Sequence, residues 1–162
     1  MRSRRSPRTG FAMLDEAADV TSFRSAEAAD APVIAALLTQ LGYPTEPAEV
    51  PGRLARFTAH GGGLVLVAEV AGEVGALAAL EFTHPIHHPH PVAHLSAFVV
   101  AAGQRRRGLG RTLLAEVERA AADAGCRRIV VTSAEPRAEA HAFYTANGWA
   151  YTGRRFMKEL NL

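Results

Sequence analysis

The chain has 162 residues, of which 48% are hydrophobic and 21% charged, ordinary values for a globular protein that exclude wholesale disorder. This length predicts one domain with a buried core. The formal net charge is +2 at pH 7, but without four arginines among the first ten residues it becomes −2. The folded body is therefore not basic overall, and nucleic-acid binding is not expected. The four residues are Arg2, Arg4, Arg5 and Arg8.

The cysteine count and the hydropathy pattern bear on the compartment. Cys126 is the single cysteine, so no disulfide can form within the chain. It follows a glycine at an apparent helix end, where a small packing residue is expected rather than a catalytic thiol. No apolar run approaches the ~20 residues of a membrane span, and the arginine-rich start lacks the apolar stretch of a secretory signal. These features predict a cytoplasmic protein without membrane contact.

The first half of the chain predicts helices followed by a hairpin. Residues 1–18 are interpreted as a flexible N-terminal arm, and residues 19–162 as a single domain. Asp30 is a predicted N-cap with Pro32 in the first turn, and Gly42 closes that helix. The apolar pattern of this helix runs over 33–41. The other predicted elements are a strand over 20–24, a helix over 52–59, and hairpin strands over 64–70 and 73–82.

The second half predicts a strand, helix, strand unit followed by a last helix. The predicted elements are strands over 92–100 and 128–132, helices over 109–124 and 136–146, and two final strands within 149–160. Antiparallel hairpins around one β-α-β unit favour an α/β (α+β) fold. We expect a mixed, mostly antiparallel sheet of six to seven strands, flanked on both faces by about four helices.

The turn between the 92–100 strand and the next helix carries the most informative residues. Three arginines, Arg105–Arg107, lead into Gly108 and Gly110 at the predicted helix start. Unpaired amides and the positive end of the helix dipole converge at such a start, which favours a phosphate-containing ligand. A P-loop is not indicated, because Gly110 is followed by Arg111 and threonine instead of lysine. A dinucleotide fingerprint needs a third glycine where Leu113 stands.

A second motif lies on the last predicted helix and its exit turn. There the chain reads Ala140-His-Ala-Phe-Tyr144, with Asn147-Gly148-Trp149 after it. Together with the Arg-x-x-Gly-x-Gly turn, this motif resembles the GNAT-type N-acetyltransferase superfamily. The resemblance is good from about Leu95 to Leu160, is looser over the preceding hairpin and helices, and leaves out residues 1–18. It implies a GNAT-like fold and acetyl-CoA as the acyl donor.

The resemblance also implies which residues bind acetyl-CoA. The main chains of Phe98, Val99 and Val100 would pair with the pantetheine arm. One of their N–H groups would polarise the thioester carbonyl, as in an oxyanion hole. The turn would hold the diphosphate through its amides and guanidinium groups. Its residues are Arg105, Arg106, Arg107, Gly108, Leu109, Gly110 and Arg111.

By the same resemblance, Tyr144 would be the general acid that protonates the departing thiolate. The general base stays open, because many family members carry a glutamate where this chain has Ser96. Glu81, His94 and ordered water are the alternatives, and we expect either of the two side chains equally. Five of the seven histidines fall within residues 84–94. Prolines interrupt that run and no carboxylate lies in it, so we expect no metal site there.

The expected function is transfer of an acetyl group from acetyl-CoA to a primary amine of a small molecule, by direct attack in a ternary complex. A protein or peptide N-acetyltransferase and a non-catalytic acyl-CoA-binding sensor are the alternatives. Family dimers make a homodimer possible. The acceptor itself is not specified by any motif, although the loop from Gly42 to Pro51 is where the family selects it.

Overall fold

The computed structural model describes residues 21–59 and 62–160. Within them it contains five strands and four α-helices. The elements are β1 (Thr21–Ser25), α1 (Ala31–Leu41), α2 (Val50–Ala59), β2 (Leu64–Val70), β3 (Glu73–Thr83), β4 (Val92–Val100), α3 (Leu109–Asp123), β5 (Ile129–Val131) and α4 (Ala138–Ala146). The arm predicted over residues 1–18 lies outside the described residues.

The five strands form one sheet in the order β1-β2-β3-β4-β5. Neighbouring strands from β1 to β4 pair antiparallel, whereas β4 and β5 pair parallel and are connected through α3. A parallel pair needs such a crossover. Of the antiparallel pairs, β2–β3 and β3–β4 are consecutive in the chain, whereas β1 and β2 are joined through α1 and α2. The predicted α/β class with a mixed, mostly antiparallel sheet and four helices is therefore confirmed.

The number of strands differs from the prediction of six to seven. The segment 149–160 is predicted to supply two strands, but it contains none. Gly153 and two arginines separate its apolar side chains, so the segment lacks the continuous alternation that a half-buried strand needs. Tyr151 and Phe156 accordingly remain 79% and 90% exposed.

Helices cover both faces of the sheet, and each face has its own core. On one face, α1 and α2 pack over the side chains of Val67, Leu77 and Val99. On the other face, α3 packs over Ala78 and Leu95. The helix residues buried against the sheet are Ile34, Ala35 and Leu37 on α1, and Leu109, Leu113, Leu114, Val117 and Ala121 on α3. Their spacing of three and four residues is that of an amphipathic helix.

The two ends of α1 show one departure from the prediction and one agreement. Asp30 precedes α1 as expected, but its side chain makes no cap bond to that helix. Its carboxylate instead accepts hydrogen bonds from the Arg24 guanidinium and from the amide of Glu27, all at 2.8 Å. Gly42 closes α1 in the left-handed region, with φ of 110°, as predicted. No helix between residues 21 and 160, outside the undescribed pair 60–61, is long and apolar enough to cross a membrane.

Candidate functional site

The two parallel strands separate soon after they begin to pair. The pairing of β4 with β5 covers only Ala93–Leu95 against Ile129–Val131. In the part of the chain that the structure describes, the β4 edge that faces β5 is therefore unpaired from Ser96 to Val100. Ser96 is also a bulge, because Ala97 pairs with Ala79 while Leu95 pairs with Leu80. A bulge bends its strand and strengthens its twist, which helps β4 to leave β5.

Antiparallel pairing decides which main-chain groups of β4 face the open edge. The amide of Ala101 donates to the carbonyl of Gly75 at 2.8 Å, so these two residues are a hydrogen-bonded pair. Hydrogen-bonded and non-hydrogen-bonded pairs alternate along an antiparallel ladder. The N–H and C=O groups of Val99 therefore point toward β3, and those of Phe98 and Val100 point toward the open edge.

The chain then turns into α3 through a short 3₁₀ turn, Ala102–Gln104, and the arginine–glycine segment. Arg106 and Gly108 adopt positive φ values of 62° and 82°. Gly108 is the N-cap of α3 and has no side chain with which to cap the helix amides. The first amide bonded back within the helix is that of Thr112, which donates to Gly108. The amides of residues 109–111 thus keep their donors free of intrahelical acceptors.

The side chains around this turn add positive charge. Arg105, Arg106, Arg107 and Arg111 are exposed. Arg105 donates through Nε to the carbonyl of Val100 at 3.2 Å. Among the described residues, none of the four arginines forms an ion pair with a carboxylate. Their charge and the helix dipole therefore favour the same kind of ligand, an anion.

Two residues of the turn act through packing. The Leu109 side chain is buried in the core, so only the main chain of this predicted binding residue can contact a ligand. A Cβ atom at Gly110 would lie 3.4 Å from the Phe143 ring and 3.5 Å from the Val100 side chain. These are ordinary van der Waals distances, so the start of α3 lies close to both α4 and the end of β4 at this position.

Tyr144 lies on α4 within an aromatic cluster beside the open edge. Its ring centroid is 6.4 Å from that of Phe98, 5.5 Å from Phe143 and 5.3 Å from Trp149. Burial raises the pKa of Tyr144 to about 12, and the positive charge of Arg137 acts in the opposite direction. A phenol with this pKa keeps its proton at neutral pH and can donate it.

Glu81 and His94, the two candidate bases, lie opposite each other on β3 and β4. His94 Nδ1 and Glu81 Oε2 are 3.2 Å apart, and both side chains are partly exposed. The position of Glu81, two residues after Ala79, places the pair on the α1–α2 face of the sheet. Tyr144 packs against the opposite core. The candidate acid and base therefore lie on opposite faces, with the open edge of β4 at the boundary.

Two polar groups near the separated strands have no counterpart in the sequence prediction. Ser133, two residues after the end of β5, has a buried Oγ atom without a hydrogen-bond partner among the described residues. The side-chain amide of Gln40 on α1 bonds the main chain where β4 ends. Neither residue belongs to a motif, because a lone serine after a strand and a glutamine on an exposed helix position give no signal in a single sequence.

The histidine-rich segment lies at the other end of β4. Its shallow hollow has a volume of about 230 Å³ and is lined by residues 88–92 with Arg127 and Arg128. His88 Nε2 lies 3.1 Å from Arg128 Nη1. Loss of hydration, then the Arg128 charge, lower the pKa of His88. No cluster of three or more metal-ligating side chains occurs in residues 21–59 and 62–160. Cys126 is buried in the α3-side core, and burial raises the pKa of its thiol.

The fold is that of acetyltransferases of known structure. A GNAT family acetyltransferase of Staphylococcus aureus superposes with a TM-score of 0.74 at 22% identity, over 86% of this chain and 98% of that one. An aminoglycoside N-acetyltransferase crystallised with CoA gives 0.78 at 18% identity, over 88% and 96%. These likenesses show the fold. The Acetyltransferase (GNAT) family model matches residues 31–149, so the chain belongs to the GNAT family.

One curated relative carries a more specific name. Aminoalkylphosphonate N-acetyltransferase of Salmonella typhimurium is 30% identical over 89 residues. This alignment covers 55% of the chain and 58% of the relative. The chain therefore matches little more than half the length of that enzyme.

Proposed function

We propose that this protein transfers the acetyl group of acetyl-CoA to a primary amine of a small molecule, by direct attack in a ternary complex. The observation that carries the proposal is the open β4 edge, which leads into an uncapped, arginine-rich helix start. The CoA complex of the aminoglycoside enzyme with the same fold supports the choice of donor. The names of the curated relative and of that enzyme support a small-molecule amine as the acceptor.

The residues present fit acetyl-CoA. A Cβ atom at Gly108 would meet nothing within 4 Å, so open space lies above the N-cap. The buried, unpartnered Oγ of Ser133 is a further polar group on the β5 side of the opening. The amides of residues 109–111 and the guanidinium groups of Arg105, Arg106, Arg107 and Arg111 would hold the diphosphate.

The β4 edge would bind the pantetheine arm and stabilise developing charge. Its available groups are the N–H and C=O of Phe98 and the N–H of Val100, because the Val100 carbonyl already accepts from Gln40 and Arg105. A fixed amide at this edge would stabilise negative charge on the reacting carbonyl oxygen. The main chain of Val99 pairs with β3 and so holds this part of β4 in the sheet.

Acetyl-CoA supplies an acetyl group activated as a thioester. Tyr144 would donate its proton to the departing sulfur, because its hydroxyl is protonated at neutral pH. On the other face, the hydrogen-bonded Glu81–His94 pair would accept the proton of the acceptor amine, directly or through water. Acid and base on opposite faces of the sheet fit a reaction in which donor and acceptor approach from opposite sides.

The direct test measures thiol release from acetyl-CoA across a panel of aminoalkylphosphonates, aminoglycosides, amino sugars, polyamines, amino acids and peptides. We expect turnover with at least one small amine, and heat of acetyl-CoA binding in calorimetry. Turnover with peptides alone would favour a protein N-acetyltransferase. Binding without turnover would favour a sensor, and the absence of binding to folded protein would refute the proposal.

The base is tested separately with His94→Gln and Glu81→Gln. Each should lower kcat while leaving acetyl-CoA affinity within about twofold, because neither residue lies in the diphosphate turn. A loss of about 10²-fold is typical when a general base is removed. Unchanged kcat in both variants would favour ordered water as the proton acceptor.

A further inference from the structure

The C-terminal turn of α1 is bonded to the end of β4. The Gln40 side chain donates through Nε2 to the carbonyl of Val100 at 2.9 Å. Its Oε1 accepts from the amide of Ala102 at 3.1 Å. Both ends of one side-chain amide thus hold the main chain at the point where the β4 edge passes into the phosphate turn. Residue 40 is 60 positions away in sequence from this point, so the bonds connect distant segments.

The next residue of α1 is bonded to α4. The Arg137 guanidinium donates through Nη2 to the carbonyl of Leu41, one of the last carbonyls of α1. Carbonyls at a helix end lack intrahelical donors, and a nearby cation also complements the negative end of the helix dipole. Arg137 is the N-cap residue of α4, the helix that carries Tyr144.

α4 depends on few contacts for its position. None of its residues is fully buried, although Phe143 and Tyr144 pack partly against the α3-side core. The Phe143 ring on α4 packs against the Phe98 ring on β4, and their centroids are 5.7 Å apart. The bond from Arg137 to α1 is therefore a second attachment, at the N-terminal end of α4, seven residues before Tyr144.

We propose that Gln40 and Arg137 are positioning residues that join the end of α1 to both sides of the acyl-CoA opening, and thereby hold Tyr144 in register with the open edge of β4. This inference rests on the proposed acetyl transfer. Adjacent residues of one helix turn, Gln40 and Leu41, hold the two sides, so the turn acts as a brace between them. The loop in which we expect the acceptor to bind starts at the next residue, Gly42. Acceptor binding and acyl-CoA binding are then mechanically connected through this brace.

The test compares steady-state kinetics of the full chain and its variants. Gln40→Leu removes both hydrogen bonds of the Gln40 side chain. It should raise KM for acetyl-CoA about tenfold, which corresponds to the net contribution of roughly one hydrogen bond. Arg137→Met should lower kcat about tenfold for the same reason, with a smaller change in KM. Arg137→Lys keeps a donor for Leu41 and should restore at least about half of kcat. The double variant should lose less kcat/KM than the product of the two single losses, since both act through one brace.

The matched control is Arg119→Met, which removes an exposed α3 arginine bonded to Glu116 and Asp123. It should leave KM and kcat unchanged. If Gln40→Leu proves unstable by thermal unfolding, Ala102→Pro removes the main-chain N–H that donates to Gln40 Oε1, and so breaks one of the two hydrogen bonds from the β4 side. Proline is tolerated at the first position of a helical turn, and Ala101, at φ −52° and ψ 139°, has the backbone that precedes proline.

An active wild type whose Gln40 and Arg137 variants keep wild-type KM and kcat would overturn the brace alone. The same conclusion follows if the losses of the double variant multiply, or if Arg137→Lys is as impaired as Arg137→Met. A folded wild type that neither binds acetyl-CoA nor releases thiol would overturn both the brace and the proposed function.

Discussion

Two arginine sites in this molecule differ in what surrounds them. Arg24, on β1, bonds the carboxylates of Asp30 and Glu69 at 2.8 Å. These carboxylates in turn accept from the Glu27 amide and the Ser22 hydroxyl. In the described part of the chain, Arg106, Arg107 and Arg111 have no such carboxylate, and the amides beside them lie at an uncapped helix start.

The contrast distinguishes arginines whose charge is neutralised by carboxylates of the fold from arginines without a counter-charge among the described residues. A guanidinium enclosed by two carboxylates has its donors satisfied before any ligand arrives. A cluster without counter-charge raises the energy of the protein by self-repulsion, which an anionic ligand relieves. The Arg24 cluster therefore has a structural role, and the contrast supports the proposed binding role of the turn. One measurement tests the proposed chemistry beside the turn, and three test this distinction.

The largest effect is expected from Tyr144→Phe. Loss of the general acid should lower kcat about 100-fold or more, the usual scale for acid–base catalysis, with acetyl-CoA affinity within about twofold. The reason is that the phenol acts on the departing sulfur and not on the diphosphate. Tyr151→Phe is the matched control, because Tyr151 is 79% exposed. Steady-state kinetics and calorimetry separate the two quantities, and unchanged kcat would remove Tyr144 from the mechanism.

Asp30→Ala should destabilise the fold without touching catalysis. It removes the hydrogen bonds to Arg24 and to the Glu27 amide, and bonds to charged groups contribute ~1.5–3 kcal/mol. We expect the free energy of unfolding in urea to fall by about 2 kcal/mol, with KM for acetyl-CoA unchanged. Asp123→Ala, at an exposed ion pair with Arg119, should cost less than about 1 kcal/mol. Equal losses in both variants would contradict a special role for the Arg24 cluster.

Arg107→Met should show the reverse pattern. Loss of one guanidinium from the turn should weaken acetyl-CoA binding about tenfold, the scale of one charge-assisted bond. The free energy of unfolding should stay the same or rise slightly, because the substitution removes one of several neighbouring like charges. Binding isotherms at low and high salt provide the measurement, with Arg119→Met as control. Unchanged affinity together with lost stability would show that Arg107 stabilises the fold, as Arg24 does, and does not bind the ligand.

The smallest effect is the acid dependence of stability. The hydrogen bond from Arg24 holds the pKa of the Asp30 carboxyl below its ordinary value of 3.8. The stabilisation is thus fully present above the pKa of the unfolded carboxyl and is lost as the pH falls through the lower folded value. Wild type should therefore lose stability below about pH 4 more steeply than Asp30→Asn. Parallel urea-unfolding series at several pH values decide this, and identical slopes would exclude the contribution.

Much of this fold could be predicted from local patterns, because they coincide with the elements that form. The strands over 64–70 and 92–100 have the predicted bounds, and Gly42 closes α1 as its position suggested. Predictions were weaker where the result depends on distant residues. The position of Asp30 predicts a helix cap, but its carboxylate bonds the guanidinium of Arg24 on β1 instead of the amides of α1. The final strands need a partner edge that a short sequence window does not contain.

The candidate site also combines residues that local patterns predict with residues that only the fold brings together. The phosphate turn and Tyr144 lie in motifs of contiguous residues, so a single sequence indicates them. The pairing of Glu81 with His94 depends on the register between β3 and β4, which only the folded sheet specifies. Gln40, Ser133 and Arg137 show no periodicity or motif. The hydrogen bonds of Gln40 and Arg137 join segments that the chain brings together only on folding, and the burial of the Ser133 hydroxyl likewise depends on the fold.

The bulge at Ser96 has a consequence for how β4 tolerates changes in length. Before it, the odd-numbered residues Ala93 and Leu95 lie in the α3-side core. After it, odd-numbered Ala97 and Val99 belong to the α1-side core, while Phe98 and Val100 pack on the α3 side. One supernumerary residue thus inverts the parity of the strand midway. Deleting Ser96 would restore a regular ladder in which the remaining residues of β4 keep their faces and their partners on β3, but it would remove the local bend. Such a deletion should therefore change the separation of β4 from β5 more than the packing of either core, whereas inserting a further residue into β4 would exchange inward and outward side chains.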